Sequence, residues 1–293
     1  MEYSRPAISV TPQSRSTLGE GPSWWANIRR LVSVDIRQGA IRSYDPVSGG
    51  DTVEVIGGQV SAVIPRRNGG KLVAVDHDLR AYDSSGVLER SWTAEADEPL
   101  NRFNDCRSDQ SGRVWAGTMS TERIADQAAL YRLDGNGELT RPLAPTTLSN
   151  GMGWSPDGRR MYFIDSTTYV VDVFDYDEST GSLSNRMPFA RIDEKHGLPD
   201  GLTVDADGGV WIALFGGGAI RRYSVEGELT HHVQLPVTNP TCPAFGGESL
   251  DVLYVTSAQI KLAPEQLASE PAGALLEISG TGFVGFAANE CAI

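Results

Sequence analysis

Four oxygen-bearing side chains, each 10 or 11 residues before a similar apolar run, are the residues of this sequence best placed to do chemistry together. They are Glu20, Asn104, Asn150 and Asp200. Two carboxylates and two amides, with no histidine or thiolate among them, form a shell of hard oxygen ligands. Such a shell suits Ca²⁺, with Mg²⁺ or Mn²⁺ as alternatives and Zn²⁺ less natural. Three or four protein ligands leave positions open for water and substrate, which is typical of a catalytic metal site.

The apolar runs recur along the chain with a period of roughly forty to fifty residues. They read LVSVD from Leu31, LVAVD from Leu72, VWAGT from Val114, MYFID from Met161, VWIAL from Val210 and LYVTS from Leu253. Most are followed by a second strand-like segment, and Asp-Gly, Asn-Gly or Ser-Gly pairs between them are hairpin signals. Six all-β units at this period predict a six-bladed β-propeller, with residues 1–293 as a single domain.

The propeller explains why the four polar residues should meet. Equivalent positions of successive blades surround one axis, so residues at the same phase converge at one mouth of the channel. We expect the six apolar runs to be the innermost strands, with the polar residues just ahead of them. At the same phase the second repeat has Ser61 or Ala62, and the sixth repeat has Cys242. The segment AISV (7–10) is expected to join the last blade and close the ring, and residues 263–270 to form a short helix.

Nearby residues have simpler interpretations. Asp205 and Asp207, in DADGG, are predicted to be turn residues that support stability. An EF-hand beginning at Asp205 is excluded because Val210 stands where glycine is required and Gly216 where glutamate is required. Arg102, two residues before Asn104, is expected to flank the mouth.

Composition narrows the class of protein. The formal net charge is −13 and no run of Lys and Arg occurs, so nucleic acid is not an expected partner. The sequence has no apolar stretch of 18 residues, so no membrane partner is expected either. Three widely spaced cysteines match neither a disulfide framework nor a metal motif. With no signal-peptide-like N-terminus, this predicts a cytoplasmic protein.

Five segments in order along nearly the whole chain carry a family resemblance. They are LGEGPSWW (18–25), RFNDCRSDQSGRVWAGTM (102–119), SNGMGWSPDGRRMYFIDS (149–166), LPDGLTVDADGGVWIAL (198–214) and PAFGGESLDVLYVTSA (243–258). Together they resemble the gluconolactonase / regucalcin (senescence marker protein) / luciferin-regenerating-enzyme family. The resemblance implies a six-bladed propeller with one divalent metal at the channel mouth, and hydrolysis of sugar lactones.

The resemblance also implies roles for particular residues. Glu20 in GEGP, Asn150 in SNGM and Asp200 in PDG match the family's metal ligands. Arg102 and Asn104 in RFND match its substrate-contacting pair. The implied metal is Ca²⁺ first, with Zn²⁺, Mn²⁺, Mg²⁺ or Fe²⁺ as alternatives.

Three further positions concern the substrate. Glu122, three residues beyond GTM, matches a loop glutamate that holds sugar hydroxyls in some members of the family. The sequence departs from the family at Cys106, where NDG is usual, and at Cys242, where Asn is common. We expect Cys106 to alter the shape of the mouth, which bears on the substrate more than on the metal.

The function this implies is a lactonase, a carboxylic ester hydrolase that opens an aldonolactone such as a glucono-, arabino- or xylonolactone. Its expected partner is that small molecule, and the chain is expected to be a monomer or a weak homodimer. Asp200 is the predicted general base, with a hydroxide on the metal as the alternative nucleophile, while Arg102 and Asn104 assist the carbonyl oxygen.

Two other functions stay open at this point. One keeps the metal but uses a non-sugar ester, a non-sugar lactone or a phosphotriester, for which Trp24 and Trp25 would supply an apolar rim. The other is a non-catalytic calcium-binding propeller.

Overall fold

The computed structural model of the chain describes residues 6–293, except for the side chains of residues 12–14, and its strands form six antiparallel sheets of four. These sheets are the six blades of a β-propeller, as predicted. Within the described residues, no helix is long and apolar enough to cross a membrane.

The blades follow one another along the chain. Blade 1 contains β2 (Gly19–Trp25), β3 (Arg30–Asp35), β4 (Ala40–Tyr44) and β5 (Asp51–Val55). Blade 2 contains β6 (Val60–Pro65), β7 (Lys71–Val75), β8 (Asp78–Tyr82) and β9 (Leu88–Thr93). Blade 3 contains β10 (Asn101–Ser108), β11 (Val114–Ser120), β12 (Ala128–Leu133) and β13 (Leu139–Thr146). Blade 4 contains β14 (Ser149–Trp154), β15 (Arg160–Asp165), β16 (Val170–Asp177) and β17 (Ser182–Arg191). Blade 5 contains β18 (Leu198–Val204), β19 (Val210–Phe215), β20 (Ala219–Tyr223) and β21 (Leu229–Gln234). Blade 6 contains β22 (Pro240–Gly246), β23 (Val252–Ser257), β24 (Ala274–Ser279) and β1 (Ala7–Arg15).

The two ends of the chain meet in blade 6. Strand β1 pairs antiparallel with β24, with Ile8 opposite Ile278 and Val10 opposite Leu276. The N-terminal strand is therefore the outermost strand of the last blade, as predicted, and the pairing closes the ring. The short helix α1 (Pro264–Ser269) lies between β23 and β24, also as predicted.

The expectation that the six apolar runs line the channel was wrong by one strand. They form the second strand of each blade, and the innermost strands are β2, β6, β10, β14, β18 and β22, which contact one another around the ring. The second strands are the most apolar because neighbouring blades bury both of their faces. The innermost strands carry polar residues and glycines, so they resemble turns in the sequence, as LPDGLTV in β18 does.

The core lies between neighbouring blades. Between blades 3 and 4, for example, Trp115 contacts Trp154 and Tyr176, with ring centroids about 6 Å apart. The outermost strands face solvent, and β5 and β9 are exposed along most of their length. This arrangement leaves only the innermost strands to shape the channel.

Candidate active site at the channel mouth

Each of the six innermost strands contains a β-bulge, which adds one residue relative to its neighbour. The register breaks at Glu20/Ser23, Val60/Ala62, Phe103/Cys106, Ser149/Met152, Pro199/Leu202 and Pro240/Pro243. A bulge bends its strand and redirects the side chains there. The four residues predicted from the repeat phase lie in these bulges or at their edges, which is how a strand parallel to the channel can point them toward one mouth.

Glycines follow two of these residues because neighbouring innermost strands approach closely. A Cβ atom on Gly201 would lie 2.3 Å from the Cys242 sulfur, and one on Gly151 would lie 2.6 Å from the Leu202 nitrogen. Asn150-Gly151 and Asp200-Gly201 are therefore not hairpin turns. They are bulges whose glycines leave room for the next blade.

One cavity brings together five of the six predicted site residues. It is lined by Glu20, Arg102, Asn104, Asn150 and Asp200. Apolar side chains complete the lining, among them Leu148, Leu198, Phe215 and Ile260.

Glu122 lies elsewhere. Its side chain is exposed and does not line the cavity, whereas its neighbours Thr121 and Arg123 do. The assignment of Glu122 to sugar hydroxyls stays a prediction, one that requires this loop to move.

The two carboxylates at the cavity floor destabilise each other's charge. Burial raises the pKa of Asp200 to about 7, and the nearby carboxylate of Asp105 adds to this effect, while a hydrogen bond from Asn150 opposes it. Burial, followed by the charges of Asp200 and Asp105, raises the pKa of Glu20 well above its usual value. Among the described residues, neither Glu20 nor Asp200 forms an ion pair. A divalent cation would offset this repulsion, so the residues present fit a metal ion.

The amide of Asn150 is oriented by its neighbours. Its nitrogen donates a hydrogen bond to the Ser166 hydroxyl (3.1 Å), which in turn donates to the carbonyl oxygen of Pro199 (2.7 Å). Because the nitrogen is engaged, the amide oxygen is the atom available to a cation. In the described part of the chain, no three His, Cys, Asp or Glu side chains are grouped to hold a metal. The candidate set instead combines two carboxylates with this amide.

Asn104 does not belong to this set of candidate metal ligands. Its side-chain oxygen accepts a hydrogen bond from Arg102 Nη1 (3.0 Å), and its nitrogen donates to the carbonyl oxygen of Ser149 (2.9 Å). The repeat phase grouped Asn104 with the other three oxygen ligands, whereas the family resemblance paired it with Arg102. The hydrogen bond between Arg102 and Asn104 favours the pairing that the family resemblance implies.

Arg102 is a buried guanidinium with donors to spare. Burial lowers its pKa to about 10, against the attraction of Glu20, so it remains charged at neutral pH. Nη1 also donates to the carbonyl oxygen of Phe103 (2.7 Å), while Nε is buried without a partner. Because Arg102 also lines the cavity, its charged guanidinium can interact with a substrate oxygen there.

A second and larger cavity lies at the other end of the channel. It is lined by aromatic and apolar side chains that include Trp24, Met152, Trp154 and Phe245, and it contains none of the predicted site residues. Arg107 separates the two cavities, since its guanidinium donates to the carbonyl oxygen of Pro22 (2.9 Å) and to the Cys242 sulfur (3.0 Å).

Two expectations about the mouth were wrong. Trp24 is buried against Tyr254 and, like Trp25, does not line the cavity of the candidate site, because β2 runs away from the mouth after Glu20. Cys106 lines the opposite cavity, so it does not shape the mouth. Burial raises the pKa of both Cys106 and Cys242, which keeps them as unreactive thiols.

The sequence reasoning missed three cationic side chains at the mouth and one buried acid beneath it. Arg37, Arg123 and Lys261 line the cavity, and Asp105 lies beneath it beside Arg107. The cations lie outside the innermost strands, where the repeat phase says nothing. Asp105 could have been predicted from the repeat phase, because it shares a bulge with Asn104.

Comparisons with known proteins agree with this architecture. A sequence model described as the SMP-30/Gluconolactonase/LRE-like region matches residues 18–259. Regucalcin of Danio rerio is 35% identical over 287 residues, which cover 95% of this chain and 96% of that protein. A pentonolactonase of Haloferax volcanii is 36% identical over 241 residues, covering 82% and 81%. The crystal structure of a calcium-binding protein, regucalcin from Agrobacterium tumefaciens, superposes with a TM-score of 0.87 at 28% identity, covering 98% and 95%. The chain therefore belongs to the SMP-30/gluconolactonase/LRE-like family.

Proposed function

We propose that this protein is a divalent-metal-dependent lactonase that opens a sugar lactone to the corresponding aldonic acid. The observation that carries the proposal is one cavity lined by two carboxylates without ion-pair partners, Glu20 and Asp200, together with the guanidinium of Arg102. The family description, which includes gluconolactonase, and the similarity to a pentonolactonase support lactone hydrolysis.

Glu20, Asn150 and Asp200 would hold the metal. Their oxygen atoms suit Ca²⁺, and the structural relative described as calcium-binding supports that choice. When bound there, a divalent ion would polarise the carbonyl group of the lactone.

The side chains supply the rest of the chemistry. Asp200 would take the proton from the water that attacks the carbonyl carbon. As the bond between that carbon and the ring oxygen breaks, the proton passes to the ring oxygen, which leaves as a hydroxyl group. Arg102 neutralises the charge that develops on the carbonyl oxygen, and Asn104 positions Arg102 through the 3.0 Å hydrogen bond. The apolar side chains around the mouth limit the access of other water.

The test combines metal removal with a substitution. Chelation should abolish hydrolysis of glucono-1,5-lactone and of a pentonolactone, and one or more divalent ions should restore it. Asp200→Asn should fold normally and lose roughly 100-fold or more in kcat. Asp207→Asn is the matched control, because it makes the same change at an exposed turn residue of the same blade.

Three results would contradict the proposal. Unchanged turnover by Asp200→Asn would remove the role of the carboxylate. Metal binding without hydrolysis of any lactone would leave the calcium-binding alternative. Turnover of a non-sugar ester or a phosphotriester in preference to the sugar lactones would show that the substrate class is wrong.

A further inference from the structure

The rim of the candidate site is cationic, although the chain as a whole is acidic. Arg37, Arg123 and Lys261 line the cavity together with the buried Arg102, in a protein with a formal net charge of −13. Four cationic side chains of an acidic protein therefore line the cavity of the candidate site.

These rim cations are not partners of protein carboxylates. None of Arg37, Arg123 and Lys261 forms an ion pair with a described residue. The Lys261 ammonium instead lies 5.7 Å from the centre of the Phe215 ring. The cations also lie close enough to repel one another. Burial, followed by the charge of Arg123, lowers the pKa of Lys261. The charge of Arg37 adds to the effect of burial in lowering the pKa of Arg102.

The backbone at two of these positions is unusual. Arg123 has a φ of 56° and Lys261 a φ of 60°, both in the left-handed region that favours glycine or asparagine. A long side chain in this conformation costs conformational energy, and such residues cluster at binding and catalytic sites. The two loops therefore accept an unfavourable backbone while presenting a cation to the cavity.

The carboxylates at the bottom of the cavity are too few to explain why so many cations line its rim. Arg123 and Lys261 do attract Asp200, and Arg102 is attracted by Glu20. The four cations nevertheless outnumber these two carboxylates, while Asp105 lies beside its own partner, Arg107. Asp76, the remaining acid that acts on Arg102, offsets only one charge. A divalent ion bound by Glu20 and Asp200 would enlarge the positive excess.

We propose that the substrate is an anionic sugar lactone, whose second acidic group, a carboxylate or a phosphate, binds between Arg123 and Lys261 while Arg102 serves the reacting carbonyl. The inference rests on the proposed function and names the substrate class for it. A lactone of a sugar diacid and a lactone of a phosphorylated sugar acid share this chemistry, and the substrates below distinguish them.

The experiment compares kcat/KM of the metal-loaded protein for three six-carbon lactones. They are glucono-1,5-lactone, which is neutral, a glucarolactone, which carries a carboxylate, and 6-phosphogluconolactone. We expect at least one anionic lactone to exceed the neutral lactone by about tenfold or more, a difference that added salt reduces. Which anionic lactone is preferred identifies the acidic group.

Variants locate the effect. Arg123→Gln and Lys261→Gln should each lower the ratio of anionic to neutral kcat/KM by about tenfold, and Arg123→Lys and Lys261→Arg should keep most of it. Arg29→Gln is the matched control: Arg29 also has a left-handed φ, of 52°, but it pairs with Glu248 in the β2–β3 turn. Its ratio should stay within about twofold of the parent protein.

The two proposals fail in different ways. If no lactone is hydrolysed, the proposed function itself is wrong. If the neutral lactone is hydrolysed at least as well as both anionic ones, or if the Gln variants leave the ratio unchanged, the anion site is wrong and the lactonase stands.

Discussion

Three aspartates of blade 5 show how differently one residue type is used. Asp200 lies in the β18 bulge with its carboxylate in the candidate site. Asp205 is fully buried in the turn between β18 and β19, where it accepts hydrogen bonds from the Gly209 nitrogen (2.8 Å) and Trp211 Nε1 (2.8 Å) and pairs with Arg222. Asp207, two positions later, is exposed. Sequence grouped Asp205 with Asp207 as turn residues, but only Asp205 is a structural anchor.

Asp205→Ala should therefore destabilise the protein severely. It would leave the Arg222 charge buried and several N–H groups without an acceptor, which costs on the order of 3–5 kcal/mol. Asp207→Ala should change the free energy of unfolding by about 0.5 kcal/mol or less. Chemical denaturation of the two variants measures the difference, and equal midpoints would contradict it.

At the scale of the element, the bulged innermost strand is the unit that builds the site. Six such strands, one from each blade, give the same local bend, and the residue type in the bulge decides what each contributes. Four supply a carboxylate or an amide, whereas β6 supplies the hydroxyl of Ser61 and β22 the thiol of Cys242.

Gly201→Ala tests the close approach of these strands. The added methyl group would meet the Cys242 side chain at a distance that real contacts do not reach, so β18 or β22 must shift. We expect a loss of roughly 1–3 kcal/mol in stability, with weaker metal binding because Asp200 precedes the shifted residue.

Gly50→Ala, in an exposed turn with a contact only to the flexible Ser48 hydroxyl, is the control. Thermal unfolding and metal titration of both variants provide the readout. A Gly201→Ala protein that matches the control in both would show that the strands have more freedom than the structure indicates.

The sequence contained much of this element-scale information, but not all of it. The repeat of apolar runs identified six blades, and the phase of Glu20, Asn150 and Asp200 located one mouth. It assigned the runs to the wrong strand because burial on both faces, not proximity to the axis, makes a strand apolar. Bulges have no sequence signal distinct from turns when both use Asn-Gly or Asp-Gly.

The cations of the rim could not be predicted from the sequence, for another reason. Arg123 and Lys261 lie in loops, where both have a left-handed backbone and both line the cavity. Loop conformation of this kind does not follow from composition or period. The same uncertainty explains why the loop glutamate expected at Glu122 lies outside the cavity while the next residue lines it.

For the whole molecule, the C-terminal segment acts as a strap across the face opposite the site. Its backbone bonds to blade 5 at Ala206, to blade 6 at Leu250, to blade 1 at Trp24, to blade 2 at Pro65 and to blade 3 at Gly112. The ring is thus held together twice, by the pairing of β1 with β24 and by this segment.

Removing residues 284–293 should lower the melting temperature on the order of 10 °C, because several hydrogen bonds, each contributing about 1 kcal/mol, are lost together. The lactonase activity measured well below that temperature should remain, since the candidate site lies at the other mouth. An unchanged melting temperature for the C-terminal deletion would show that the strap contributes nothing.

Arg107 gives the channel a directional property that matters for turnover. Because its guanidinium bridges Pro22 and Cys242 across the channel, between the two cavities, we expect substrate and product to pass through the same mouth. Hydrolysis adds a carboxylate to whatever lactone entered, and this more acidic product must leave past the same rim of Arg37, Arg123 and Lys261. The charges that help capture an anionic lactone therefore also retain its product, so release competes with the next arrival at a single doorway.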